Sequence, residues 1–367
     1  MQQTAVFPGR YVQEEGALSQ LGAETARLGS KPMIVAGGTA ERSIIPRFEK
    51  QWSQHLNFRI APFGGESSDE EFKRLANLVS HHNSDCIIGM GGGKVLDTAK
   101  AVAFESKVPV AIVPTIASTD APCSAVSVVY TPKGYFKRYL FLPRNPELVL
   151  VDTQVIARAP VRFLVAGMGD ALATWFEAES CRRAGAPNQC GGLGTLAAYQ
   201  LAQLCYDTVI ENGVAAKTAC ESGIVTPALS YVVEANTLLS GLGFECGGLA
   251  AAHSIHNGLT VLGATHSFYH GEKVAFGVLA SLFLNKYSTQ LIDTVYGFCE
   301  AVGLPITLGE IGLEQLEEEE LIKVAERTCV DGETIHHEPR PVSPQSVVAA
   351  LKTADATGRD RKKAMSQ

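Results

Sequence analysis

The sequence predicts a two-part fold: an α/β N-terminal half built on a parallel sheet, followed by an all-α C-terminal half. Three observations carry this. Short, continuously apolar runs at 33–36, 86–88 and 108–113 alternate with stretches of helical spacing over residues 1 to about 158. Strands apolar on both sides are covered by helices on both faces, the mark of a parallel sheet. Past Pro160 such runs become rare, and segments rich in Ala, Leu and Gly take over. The length, 367 residues, leaves room for about two domains. The expected division is 1–158 and 159–367. With no low-complexity linker between them, the halves are expected to pack with a cleft between.

In the first half, the run 33–36 ends in Gly37-Gly38, and 58–63 is a second candidate strand. Ser67, Ser68 and Asp69 offer N-caps to an amphipathic helix over 70–80, with Phe72, Leu75 and Leu78 on one side. The run 86–88 leads into Gly89-Met-Gly-Gly-Gly-Lys94. A helix over 95–104 turns Val95, Leu96, Ala99 and Val102 inward, and 108–113 is the fourth strand. In the second half, 163–180, 194–211, 226–242 and 274–287 carry helical spacing.

Composition narrows the function classes. Hydrophobic residues at 46% and charged residues at 19% exclude disorder as the main state. Basic residues number 31 against 38 acidic, a formal charge of −7, which argues against a nucleic-acid or anionic-membrane surface. No apolar run approaches the roughly 20 residues that cross a bilayer. The start of the chain lacks the basic-then-apolar layout of a signal peptide. Nine cysteines without a C-x-x-C pair suit a reducing compartment. The expectation is a cytoplasmic protein with no membrane or nucleic-acid partner.

The loop 89–94 lies between a strand and a helix. Its glycines admit close approach of a ligand and φ > 0, and the helix start offers unpaired N–H groups and a positive dipole end. That suits a pyrophosphate. The loop departs from G-x-G-x-x-G, because Lys94 stands where the last glycine would be, and it is not a Walker motif. The plainer reading is a tight turn without a ligand. The segment 114–124 follows the fourth strand, at the strand end where ligands sit in such sheets. Thr115, Ser118 and Ser124 offer hydroxyls to a nicotinamide amide, a ribose or phosphates, and Asp120 a carboxylate to a substrate hydroxyl. A helix cap or Asx-turn is the ordinary alternative for a lone Asp.

Three segments of the second half contain candidate metal ligands. Asp170, Thr174 and Glu177 fall on one helical stripe at i, i+4 and i+7, beside a strongly apolar face. A carboxylate in that setting needs a partner or a cation. His253 and His256 share a helix face at i, i+3, and His270 precedes Gly271-Glu272-Lys273. Imidazoles and carboxylates suit Zn²⁺, with an open position where three protein ligands bind it. Any single one of these histidines would ordinarily be a hydrogen-bonded core residue.

Six motifs occur in a telling order: Gly91-Gly-Gly-Lys94-x-x-Asp97-Thr-Ala-Lys100, Pro114-Thr-x-Ala-Ser-Thr-Asp-Ala-Pro122, Gly169-Asp-Ala-Leu-Ala-Thr-Trp175, Gly247-Gly-Leu-Ala-Ala-Ala-His253-x-x-His256-Asn-Gly258, His270-Gly-Glu-Lys273 and Gly332-Glu-Thr-Ile-His336. The chain resembles the glycerol dehydrogenases of the iron-containing alcohol dehydrogenase superfamily, from Pro8 to about Thr357. The resemblance implies the dehydroquinate-synthase-like architecture, with an N-terminal dinucleotide-binding domain and a C-terminal helical domain. It implies a zinc-dependent polyol dehydrogenase using NAD, with glycerol or another vicinal diol going to a hydroxyketone, and a homo-oligomer. By the matching motifs Asp170, His253 and His270 would bind Zn²⁺. Gly92, Gly93 and Lys94 would hold the pyrophosphate, while Thr115, Ser118, Ser124, Val126 and Tyr130 would line the cofactor. Asp120 would contact the substrate, and His256 would sit beside it; in the mechanism expected here His256 passes the proton to solvent. Iron-using members place a His four residues after the ligand Asp; here that position is Thr174, which favours zinc. The Asp that usually follows the first strand is missing from Ala36-Gly37-Gly38, which leaves NADP open beside NAD. The alternatives are a relative acting on a phosphorylated substrate (a glycerol-1-phosphate dehydrogenase or a dehydroquinate-synthase-like lyase) and a non-catalytic nucleotide- or metal-binding protein.

Overall fold

The structure is a computed structural model and describes residues 2–365. Among the described residues there are eight strands: β1 (Tyr11–Glu14), β2 (Pro32–Ala36), β3 (Arg59–Pro62), β4 (Cys86–Gly91), β5 (Val110–Pro114), β6 (Val126–Tyr130), β7 (Phe136–Phe141) and β8 (Leu148–Asp152). Six form one sheet in the order β1-β8-β5-β4-β2-β3, and β6 and β7 form a separate hairpin. Every neighbour pair in the six-stranded sheet is parallel; Ile34 faces Ile88, and Gly89 faces Ile112. The hairpin is antiparallel, with a register shift at Val129/Tyr130.

The apolar runs behave as strands with two buried faces. Because side chains alternate along a strand, Ile34, Ala36, Ile88, Met90, Leu148 and Leu150 meet Leu18, Leu21, Ile45 and Trp52 in one cluster. On the opposite face the helix Gly93–Ser106 packs directly on β4: a Cβ on Gly89 would lie 2.5 Å from the Ala99 Cβ. The helix Asp69–His82 starts where its caps lie, Ser68 Oγ accepting the Glu71 N–H at 3.3 Å.

The chain divides into two compact units. One comprises 6–161 and 219–241; the other comprises 2–5, 162–218 and 242–365. A single cut at 158 therefore does not describe the chain. The return of 219–241 to the sheet unit is held by polar contacts: the Tyr11 hydroxyl lies 2.9 Å from Thr237 Oγ1, Gln13 donates to the Ser230 carbonyl, and Asn236 donates to the Ala117 carbonyl. Residues 2–5 join the helical unit through mutual backbone bonds, Thr4 to Leu193 and Leu193 to Gln2. The regular elements of that unit are helices, among them Val161–Ala184 and His270–Leu284. The expected helix 226–242 divides into Pro227–Glu234, a π-helical turn at Ala235–Leu239 and Ser240–Gly247.

Candidate functional site

In the helical unit, two glycines set the geometry of a three-residue cluster. A Cβ on Gly271 would fall 1.8 Å from the Ala166 carbonyl oxygen, and one on Gly169 would fall 2.3 Å from the Gly271 carbonyl oxygen. Only bare backbone permits the start of His270–Leu284 to lie so close to Val161–Ala184. His270 is thereby brought beside Asp170, with Nε2 3.2 Å from Oδ1. The helix Ala251–Leu259 supplies His253, whose Nε2 lies 3.4 Å from the same oxygen. One ligand atom from each of Asp170, His253 and His270 lies within 4.8 Å of the others. Asp170 is only 1% exposed.

A second group of side chains orients these three. Glu177, two turns beyond Asp170, meets His253 Nδ1 at 2.6 Å and accepts the backbone N–H groups of Ala250 and His253, each at 2.9 Å. The Nε2 of His253 is thus left facing Asp170, an arrangement usual for imidazoles that hold a metal. Arg162 binds Glu272 through two bonds of 2.6 and 2.9 Å, and Glu272 caps the Tyr269 N–H at 2.7 Å, which fixes the turn bearing His270. His256 joins the cluster, its Nε2 3.1 Å from His270 Nδ1. Thr174 turns its methyl toward Gly243.

The electrostatics match the geometry. Burial would raise the Asp170 carboxyl, but His270 and His253 outweigh it and hold the group far below the usual carboxylate range. Burial would lower His253, but Glu177 and Asp170 raise it well above an ordinary imidazole. His256 is driven the other way by burial and by the neighbouring His270, Lys273 and His253. One buried carboxylate and two imidazoles, with a carboxylate behind one ring, form a donor set suited to a divalent cation.

In the sheet unit, the glycine loop closes β4 and opens the helix Gly93–Ser106, with Gly92 as its extended N-cap (φ −88°, ψ 179°). None of the loop glycines takes a positive φ. Close approach, rather than left-handed backbone, is what they supply: a Cβ on Gly91 would strike Val95, whereas one on Gly93 would meet nothing nearer than Thr119 Oγ1 at 3.6 Å. The partly exposed backbone at Gly92 and Gly93 suits a phosphate cradle. Lys94 is paired with Glu66 at 2.5 Å and lies 5.1 Å above the Tyr130 ring.

Lys100 organises the segment that follows β5. It is 2% exposed, pairs with Asp97 at 3.0 Å, and donates to the carbonyls of Ala121 (2.9 Å), Ser124 (3.2 Å) and Val126. Asp97 in turn accepts the Val128 N–H at 3.0 Å. Thr115, Ser118, Asp120, Val126 and Tyr130 remain partly exposed on this framework. The Ser124 side chain is buried and donates to the Ala121 carbonyl at 3.5 Å, and Asp120 accepts from Ser240 Oγ at 3.3 Å. Asp170, His253, His256 and His270 therefore belong to the helical unit, while Gly92, Gly93, Lys94, Thr115, Ser118, Asp120, Ser124, Val126 and Tyr130 belong to the sheet unit. The orienting roles of Glu177, Asp97, Lys100 and Glu66 escape sequence reasoning. For Glu177, Asp97 and Lys100 the one signal is charge on otherwise apolar helical stripes, and Glu66, outside any helix, carries none.

Residues 8–153 match the family model for iron-containing alcohol dehydrogenase. Over 361 residues the chain is 60% identical to a glycerol dehydrogenase of Thermotoga maritima, covering 98% of each protein. It is 50% identical over 355 residues to a glycerol dehydrogenase of Escherichia coli, covering 96% of each. Among solved structures, a probable glycerol dehydrogenase from Sinorhizobium meliloti superposes with a TM-score of 0.92 at 42% identity, covering 98% of this chain and all of that one.

Proposed function

The chain belongs to the iron-containing alcohol dehydrogenase family, and from that premise we propose that it oxidises glycerol or a related vicinal diol to a hydroxyketone, with NAD as hydride acceptor and Zn²⁺ as resident metal. The observation that carries the reading is the cluster of Asp170, His253 and His270 with Glu177 behind it. In this proposal residues 6–161 with 219–241 take the dinucleotide, and 162–218 with 242–365 hold the metal.

Oxidation of a secondary alcohol removes a hydride from carbon and a proton from its oxygen. Asp170, His253 and His270 would hold a divalent cation, which when bound would supply the Lewis acidity that eases loss of that proton. The protein's own part is orientation. Glu177 fixes the His253 ring, and Arg162 with Glu272 fixes the turn that carries His270. His256, in contact with His270, is assigned to the substrate side of the centre. Asp120 is assigned a hydroxyl of the diol. Gly92, Gly93 and Lys94 are assigned the pyrophosphate, with Thr115, Ser118, Ser124, Val126 and Tyr130 lining the cofactor; Lys94 would exchange its contact with Glu66 for that charge. Zinc is favoured over iron by a donor set of three and by Thr174 in place of a further imidazole. A neutral substrate is favoured because the basic groups flanking the centre are taken: Arg162 by Glu272, and Lys273 by the Thr265 carbonyl at 3.3 Å.

Cytoplasmic location and homo-oligomeric assembly are part of the same proposal. All nine cysteines are free thiols, which suits a reducing compartment, and among the described residues no helix is long and apolar enough to cross a membrane. The test is metal analysis alongside turnover of glycerol and propane-1,2-diol. Asp170→Asn and His253→Ala should each lose bound zinc and activity together. Full activity in a metal-free preparation would overturn the zinc reading.

A further inference from the structure

β2 ends at Ala36, whose parallel neighbour on β4 is Met90, and the Gly37 N–H donates to the Met90 carbonyl at 2.9 Å. Gly37 lies against the glycine loop: a Cβ on it would sit 3.7 Å from the Gly91 Cα and 3.4 Å from Val95 Cγ2. In a doubly wound nucleotide-binding fold ligands sit outside the carboxyl ends of the strands, and Gly37 stands at such an end directly beside the glycine loop. A carboxylate there accepts the 2′-hydroxyl and repels a 2′-phosphate, whereas an arginine accommodates one. Here the strand end carries Gly37, Gly38 and Thr39, and Glu41 is the one acid in the turn 37–42.

The position a side chain at Gly38 would take is covered by a guanidinium. Nη1, Nη2 and Cζ of Arg42 lie 3.0, 3.2 and 3.4 Å from an ideal Cβ on Gly38. Helical side chains lean toward the N-terminus, so a residue four positions on covers the start of its helix. Arg42 is exposed and makes no ion pair among the described residues. Arg74 is already committed, through two bonds of 2.7 Å to Glu71 and one of 2.8 Å to the Pro62 carbonyl. A guanidinium fork without a carboxylate partner is matched to phosphate oxygens, which it binds through two charge-assisted hydrogen bonds.

We propose that Arg42 is a receptor for a ribose 2′-phosphate, so that this chain accepts NADP(H) as well as NAD(H). The proposal rests on the dinucleotide reading above and adds a second cofactor class to it. The experiment is calorimetric titration of the full-length protein with NAD, NADP, 5′-AMP and adenosine 2′,5′-bisphosphate; the last two differ only in the 2′-phosphate. The unsubstituted protein should bind the bisphosphate at least as tightly as 5′-AMP. Arg42→Ala should weaken NADP and the bisphosphate about tenfold or more, the scale of one or two charged hydrogen bonds, and change NAD and 5′-AMP by less than about threefold. Gly38→Asp, whose new Cβ has the far end of the long Arg42 side chain as its nearest neighbour, should weaken the 2′-phosphorylated ligands and spare the others. Thermal melts of both variants verify folding. Equal weakening of all four ligands by Arg42→Ala, or binding of NAD and 5′-AMP without NADP and the bisphosphate, overturns the proposal. Failure of all four ligands to bind would instead remove the dinucleotide reading, and this inference with it.

Discussion

Glu177 shows how much of the candidate centre is built by side chains behind the ligands. It is 2% exposed, and all three of its near contacts serve the placing of His253. Glu177→Gln keeps the volume and removes the charge. Metal affinity should fall about 10- to 100-fold, as for other partners of ligating histidines, and competition with a chelator would measure it. A second residue-scale case is Asp85, which joins the entry of β2 to that of β4. Its carboxylate accepts the N–H groups of Ser30 at 2.8 Å and Lys31 at 2.7 Å. Burial raises this carboxyl, but the hydrogen bonds more than offset that and leave it below the usual Asp value. A depressed folded-state pKa contributes stability above the unfolded-state value, about 3.9, and loses it as pH falls through the lower folded-state value. The Tm gap between the parent and Asp85→Asn should therefore be full at pH 6–7 and shrink as the pH falls below about 4. A gap constant across that range would assign the effect to geometry alone.

At the scale of elements, close approach decides the site. Gly271→Ala would drive a methyl into the Ala166 carbonyl and force two helices apart. His270 should then leave the cluster, with Tm and metal content falling together. The helix Gly93–Ser106 holds the strand-end segment through Lys100. Lys100→Met leaves Asp97 buried without its cation, a change that typically costs about 3–5 kcal/mol. Denaturant unfolding would measure it, and adding Asp97→Asn should recover part of the loss. Both residues lie inside a motif visible in the sequence. Their role was not legible there, because the carbonyls Lys100 holds come 21 to 26 residues later.

For the molecule as a whole, the assigned tasks fall in different units. His253→Ala, in the helical unit, alters none of the residues assigned to the dinucleotide and should abolish metal binding while NAD binding is retained; titration of the metal-free variant with NAD tests it. The sheet was partly legible in advance. β2, β3, β4 and β5 lie where apolar runs alternate with helices. β8 carries an equally apolar run, Leu-Val-Leu-Val, yet went unread because a hairpin, not a helix, separates it from β5. β1 was missed because Tyr-Val-Gln-Glu at a sheet edge has no buried-strand signature.

The class of fold, the glycine loop and the candidate ligand types could be read from the residues alone, because periodicity, glycine runs and the chemistry of Asp and His are local properties. Motif order also supplied Asp170, His253 and His270 as a set. That these three converge, that Glu177 stands behind His253, that 219–241 returns to the sheet and that Arg42 covers Gly38 became visible in the folded chain alone. Each of these depends on a distance between segments, and such distances arise only when backbones pack as closely as Gly169 and Gly271 allow.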